Sequence, residues 1–331
     1  MNKTLIRVEN LKKWFPLKRG FFASLFGSEV YVRAVDGISF NIYEGEIFGL
    51  AGESGSGKTT TGRLILRLIE PTEGKIYFED TDITNLKSKE LKPYRRRMQI
   101  IFQDPYESLN PRMTVYDIIT EPLRVHKIGE GEEERLELAY KILESVQLIP
   151  PEEFLYRFPH ELSGGQRQRV AIARALILRP KFIVADEPIS MLDMSIRAEI
   201  LNLMLNLKKE YGLTYLYITH DLATARYICD RIAIMYLGKI VELGSMDSVL
   251  ENPLHPYTRA LLAAVPVPDP DIKIGEIPIK GEIPSPINIP SGCRFHPRCP
   301  YAKEICRSKE PELKEIEYQH FVACHLYSNG R

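Results

Sequence analysis

Short apolar runs punctuate the chain, and each hands over to a turn or to a stretch with helical spacing. Residues 6–10 and 35–42 alternate or cluster β-forming side chains and predict strands, and 46–51 is an apolar run that feeds straight into a glycine-rich loop. Residues 59–70 then carry Leu64, Ile65, Leu68 and Ile69 at helical spacing, with Pro71 as the stop. Residues 76–78 and 98–102 read as further strands, the second delivering Gln103. From Pro105 to Ser163 the pattern changes to helical periodicity with polar faces, including the acidic run 130–134. A buried strand at 181–186, a long amphipathic helix at 195–211 and a strand at 214–219 that delivers His220 follow. Strands alternating with helices predict an α/β fold around a mostly parallel sheet covered on both faces.

Near Asn252 the composition shifts. Pro253, Pro256, Pro266, Pro268, Pro270, Pro278, Pro284, Pro286 and Pro290 crowd a stretch hostile to helix and central strand alike. The sequence thus divides into a main domain at 1–251 and, at 252–331, a linker with a compact cysteine-bearing tail. No internal repeat is visible.

The bulk numbers narrow the class. With 331 residues, 44% hydrophobic and 27% charged, the chain reads as globular and soluble. Forty-four basic residues balance forty-four acidic ones, so no global field draws it to nucleic acid. The longest apolar stretch, 260–267, is interrupted by Pro266 and falls far short of the roughly 20 residues a bilayer span needs. The first residues read as a strand, not as a signal peptide, so a cytoplasmic location is expected.

Three motifs carry chemistry. Gly52-Glu53-Ser54-Gly55-Ser56-Gly57-Lys58-Thr59 fits G-x-x-x-x-G-K-[ST], between an apolar strand and a helix. Glycines let the backbone curl until its N–H groups face phosphate oxygens; residues 55–60, Thr60 included, should cradle them, with Lys58 on the β- and γ-phosphates and the Thr59 hydroxyl on Mg²⁺. Ser163-Gly164-Gly165-Gln166 is an S-x-x-Q pattern that opens a helical run, placing bare N–H groups and a positive dipole end at its start. Alone, that pattern is an ordinary capped helix. Asp186-Glu187 closes a strand containing Phe182, Ile183 and Val184; two adjacent acids by themselves are a solvated strand end.

Four of the five cysteines, Cys293, Cys299, Cys306 and Cys324, lie in the tail with C-x5-C-x6-C-x17-C spacing. A reducing compartment disfavours disulfides, so a thiolate metal site is the sharper reading. Structural zinc usually brings closer pairs, and these gaps suit a [4Fe–4S] cluster. Zn²⁺ with help from His296 or His325, and four reduced thiols, stay open. Cys229 reads as core packing.

The order of the three motifs resembles that of ABC-type ATPases. The resemblance implies a P-loop core with an antiparallel β subdomain, a helical subdomain at about 105–165, and ATP as ligand. Asp186 then holds Mg²⁺, Glu187 is the general base, Gln103 senses Mg²⁺ and couples to a membrane partner, and His220 bonds the γ-phosphate. Phe15 takes the adenine-stacking place, where tyrosine is commoner and Trp14 is adjacent. Ser163 to Gln166 faces ATP held by a second subunit, and Asp193 ends a D-loop, Ser190-Met191-Leu192-Asp193, with Met191 where alanine is usual.

The stretches Ile-Phe-Gln-Asp-Pro-Tyr-Glu-Ser-Leu-Asn-Pro-Arg-Met-Thr-Val from Ile101 and His-Pro-Tyr-Thr-Arg-Ala-Leu-Leu from His255 look like the oligopeptide/dipeptide importer ATPase subunits. The insertion 17–33 and Arg-Arg-Arg-Met-Gln-Ile-Ile-Phe-Gln from Arg95 resemble the second of the two such subunits, and the cysteine tail is also a feature of that family. Implied partners are a homologous ATPase subunit, two membrane permeases and an extracellular solute-binding protein, on the cytoplasmic face of the membrane. Oligosaccharide or nickel as solute, and a non-transport ABC ATPase, remain as alternatives. Exposed apolar groups near Gln103, among them Tyr106, Leu109 and Met113, are the expected coupling surface.

Overall fold

A computed structural model describes residues 3–17, 30–264, 279, 281–282 and 284–327. Most of the 17–33 insertion and Pro266, Pro268, Pro270 and Pro278 lie outside the described residues. The chain forms two compact units, one of residues 1–42, 47–85 and 218–331, the other of 43–46 and 86–217.

The first unit holds two sheets. In one, β1 (Thr4–Pro16) lies between β2 (Tyr31–Tyr43) and β4 (Glu73–Phe78), with the short β5 (Thr81–Asp82) at the edge. The β1–β4 register is antiparallel, Ile6 facing Phe78 and Val8 facing Ile76, so the alternate apolar residues of both strands bury on one face. The other sheet runs through β3 (Ile47–Ala51), β9 (Arg231–Tyr236) and β10 (Lys239–Ser245). All five residues of β3 are buried, as a parallel strand covered on both faces requires, and it pairs in parallel with β9. The helix after the glycine loop, Lys58–Ile65, stops earlier than its spacing predicts. Arg67 takes a left-handed φ of 52°, while the N–H groups of Arg67 and Leu68 donate to Leu64 and Arg63 at 2.9 Å each, which turns the chain out of the helix and leaves Leu68 exposed.

The tail belongs to this unit. β11 (Lys314–Glu317) and β12 (His320–Val322) form a hairpin, and β12 joins the open side of β10 with Glu242 opposite Val322. Phe295 packs its ring against Tyr236, Tyr257 and His255, with centroids 5.3 to 5.5 Å away. Beneath them Glu242, fully buried, accepts hydrogen bonds from the N–H groups of Leu254 (2.7 Å) and His255 (2.9 Å) and meets His320 Nε2 at 2.8 Å. The tail therefore draws its core from the main domain.

The second unit contains β6 (Met98–Ile101) and β7 (Phe182–Asp186), paired in parallel, with β8 (Thr214–Thr219) next to β7. Helices Val115–His126, Glu132–Ser145 and Gly164–Leu176 fill the stretch of predicted helical periodicity and its continuation, and Met194–Tyr211 ends at Gly212 in the left-handed conformation that only glycine adopts cheaply. Helix Ser88–Arg97 was not foreseen, because its sequence is almost wholly polar, contains Pro93 and buries Leu91 alone. Among the described residues no helix is long and apolar enough to cross a membrane.

Candidate functional site

The glycine loop lies in the first unit. β3 delivers Gly52 at φ 152°, and Gly55 and Gly57 follow at 78° and 106°, angles that side-chain-bearing residues rarely adopt. At Gly57 a Cβ would collide with the carbonyl oxygen of Ala34. Gly57 is also the N-cap of helix Lys58–Ile65 and supplies no side chain to it, so the positive end of the helix opens onto the loop. Lys58 is 5% exposed and its ammonium donates to the carbonyls of Gly52 (2.7 Å) and Glu53 (3.0 Å). The buried Ser56 hydroxyl has no hydrogen-bond partner among the described residues. A bare helix end, curled glycines and a buried ammonium are the donor set a phosphate chain needs, so the loop fits ATP.

Two further predicted residues belong to this unit. Phe15, near the end of β1, is 38% exposed, with the Lys13 ammonium 5.1 Å from its ring. Its neighbour Trp14 is already engaged, donating from Nε1 to Asp36 at 2.9 Å with the Arg33 guanidinium 4.7 Å from its ring. His220 is exposed immediately after β8, held there because Asp221 caps helix Leu222–Ile228 through the Ala223 N–H at 2.8 Å.

In the second unit β7 ends on the buried Asp186, and Glu187 turns the chain with φ 46°. The tight turn is closed by Ser190, whose N–H and hydroxyl both donate to the Glu187 carbonyl. Gln103 Nε2 donates to Glu187 Oε2 at 3.3 Å, so residues far apart in sequence meet here. Ser163 and Gln166 form the capping box their spacing predicts: Gln166 N–H to Ser163 Oγ at 3.3 Å, and Ser163 N–H to Gln166 Oε1 at 2.9 Å. Gly165 sits so close to Ile196 that a Cβ would crowd it. Asp193, exposed, is the N-cap of Met194–Tyr211 without a side-chain bond to it. The expected apolar surface is corrected: Leu109 is 2% exposed and Met113 half-buried, because the short helix Pro105–Ser108 turns Leu109 inward. Tyr106 does stand out, 62% exposed, with the Arg167 guanidinium 3.8 Å from its ring centroid.

In the tail, burial pushes the Cys293 thiol up to about 12, an N–H from Phe295 opposes the rise, and the nearby Cys324, Cys306 and Cys299 add to it. Burial likewise pushes Cys324 up to about 11 and raises Cys299, opposed by N–H groups of Leu326 and Tyr301. The Lys303 N–H lies 3.4 Å from Cys306 Sγ. Among the described residues no group of three or more His, Cys, Asp or Glu side chains has metal-binding separations, so the [4Fe–4S] and Zn²⁺ expectations gain no preformed site. Cys293, Cys299 and Cys324, whose thiols resist ionisation alone, would ionise more readily beside a cation, and backbone N–H groups already point at their sulfurs. His296 and His325, the candidate zinc helpers, each bring one ring nitrogen to a backbone carbonyl, of Cys293 and Lys309.

Sequence reasoning overlooked Arg298. Its guanidinium grips both carboxylate oxygens of Glu53, at 2.8 and 3.2 Å, 245 residues away, and nothing in the spacing of either residue signals this.

This glycine loop, the capped Ser163 helix and the Asp186-Glu187 turn define an ABC-type ATPase, and residues 35–190 match the model of the ABC transporter family. Residues 241–306 match the oligopeptide/dipeptide transporter C-terminal region. The chain belongs to the ATP-binding subunits of that oligopeptide/dipeptide branch. It is 50% identical over 329 residues to the oligopeptide transport ATP-binding protein AppF of Bacillus subtilis (strain 168), covering 98% of each chain. It is 49% identical to the probable peptide ABC transporter ATP-binding protein y4tS of Sinorhizobium fredii, over 98% of this chain and 91% of that one. Among solved structures, the cassette MJ0796 in a dimeric post-hydrolysis state bound to ADP and Pi is similar, with TM-score 0.63 and 33% identity over 73% of this chain and 99% of that one.

Proposed function

We propose that this chain is the ATP-hydrolysing subunit that powers import of di- or oligopeptides through partner permeases, by ATP-driven head-to-tail dimerisation. One observation carries the reading: an ABC motif set and an oligopeptide/dipeptide transporter C-terminal region occur in the same chain. In this reading residues 1–251 are the ATPase domain, with a helical subdomain at about 105–165, and 252–331 are the extension. The loop from Gly52 to Thr60 binds the ATP phosphates, Thr59, Gln103 and Asp186 serve Mg²⁺, and Phe15 stacks on adenine. Glu187 takes the proton from the attacking water and His220 steadies the γ-phosphate. The Gln103–Glu187 hydrogen bond supports this assignment, because the two side chains given linked roles in it touch each other. Ser163 to Gln166 and Asp193 complete the site of a second ATPase subunit, identical or homologous. The working place is the cytoplasmic face of the membrane, beside two permeases and supplied by an extracellular solute-binding protein. The same machinery would serve another solute, oligosaccharide or nickel, if the receptor differed.

A [4Fe–4S] cluster on Cys293, Cys299, Cys306 and Cys324, with Zn²⁺ as the alternative, belongs to this proposal as a structural centre that draws the tail together. Iron, zinc and acid-labile sulfide analysis of protein purified without oxygen decides between them. For the ATPase, Glu187→Gln should hold the purified protein as a dimer in Mg·ATP, measured by light scattering. A monomer at saturating ATP, alone and with the homologous subunit added, refutes the dimer reading.

A further inference from the structure

The tail reaches the nucleotide loop. Cys293-Arg294-Phe295-His296-Pro297-Arg298-Cys299 carries two arginines inside a pair of cysteines, and each side chain is 6% exposed. Arg294 bonds the Leu237 carbonyl and Asp36, the carboxylate that also holds Trp14 beside Phe15. Phe295, between the arginines, sits in the aromatic cluster of Tyr236 and Tyr257. Anchored so, Arg298 presents its two-pronged grip to Glu53, the second residue of the glycine loop. The main chain of Glu53 is held as well, its N–H donating to the Tyr257 hydroxyl at 2.9 Å. Glu53 is thus fixed at both ends, while Ser54 and Gly55 beyond it are exposed.

We propose that Arg298 is a positioning residue for ATP: by clamping Glu53 it holds the entrance of the glycine loop in the phosphate-binding curl and turns the Glu53 carboxylate away from the phosphates. The cysteine-bearing tail then acts on the nucleotide affinity of the subunit that carries it. Glu53→Gln separates this from simple electrostatics. Removing a carboxylate beside a polyphosphate, and releasing an arginine next to it, should tighten ATP binding on charge grounds alone. A clamp predicts the reverse, because a loosened loop must be reordered by the ligand.

The inference rests on the glycine loop being the nucleotide site, and the experiment keeps the two apart. A fluorescent ATP analogue is titrated with Mg²⁺ into the full-length protein and into Arg298→Met, Glu53→Gln, their double variant and Lys58→Ala, with thermal melting followed in parallel. Both single variants should bind about tenfold more weakly, and the double variant no more weakly than either, since one contact is lost in all three. Arg298→Lys should recover part of the loss. If Glu53→Gln binds as tightly as wild type or tighter, the proposal is overturned, whereas loss of binding in Lys58→Ala shows that the nucleotide reading stands. Wild-type affinity in Lys58→Ala overturns both. Should Arg298→Met fail to fold, Glu53→Gln leaves the tail unaltered and decides the matter.

Discussion

His255 offers a stability switch whose size follows from its surroundings. Its Nδ1 accepts the Tyr257 N–H at 3.0 Å and so caps helix Pro256–Ala263, a role open only to the neutral ring. The side chain is buried; burial lowers its pKa from 6.5 to about 4, against a smaller upward pull from Glu242, with Arg259 adding to the fall. The folded protein therefore binds fewer protons than the unfolded chain between these values. The contribution to stability is complete above pH 6.5 and is lost as pH falls towards 4. It amounts to about 3 kcal/mol in all, of which about 2 is gone by pH 5. His255→Asn provides the contrast, since asparagine caps helices and does not titrate. Urea unfolding of both proteins at pH 7.5 and 5 should show the variant less stable at the higher pH, from lost packing on Phe295, but with a pH 7.5-to-5 drop smaller by about 2 kcal/mol. An equal drop in both proteins would refute the argument and place the titrating group elsewhere.

Gly57→Ala should lose nucleotide binding and at least about 2 kcal/mol in urea unfolding, because the new Cβ meets the Ala34 carbonyl at a φ of 106°. Ser163→Ala removes the cap from helix Gly164–Leu176 and should cost about 1 kcal/mol by urea midpoint, with the chain's own ATP affinity unchanged. Leu109→Ala should cost roughly 2–5 kcal/mol, whereas Tyr106→Ala should change stability by less than about 1 kcal/mol and lower permease-stimulated ATPase activity.

What the sequence made legible was local. The strand at 214–219 and the Ser163 capping box follow from a short run of β-forming residues and from residues three positions apart. Phosphate chemistry was equally visible, because glycines, a lysine and a hydroxyl must sit in a fixed short order to do it. The misses share a different cause. Arg298 finds Glu53 across 245 residues and Glu242 receives His320 across 78, distances at which an arginine or a glutamate looks like any other surface charge. Helix Ser88–Arg97 lacks an apolar stripe, so periodicity had nothing to register. Leu109 was misplaced because a single turn of helix set its direction.

The hairpin at the end of the chain also governs how the protein behaves when damaged. β10, with Ile240, Val241 and Leu243 all buried, is covered by β12, and β12 by β11, whose residues Lys314, Glu315, Ile316 and Glu317 are all exposed. The sheet thus finishes on a short, mostly charged strand that offers a poor template to another molecule. A chain cut or unravelled after Pro290 would end instead on a bare apolar strand. Loss of the tail should accordingly appear in a cell as insoluble protein and proteolysis before it appears as a slower pump.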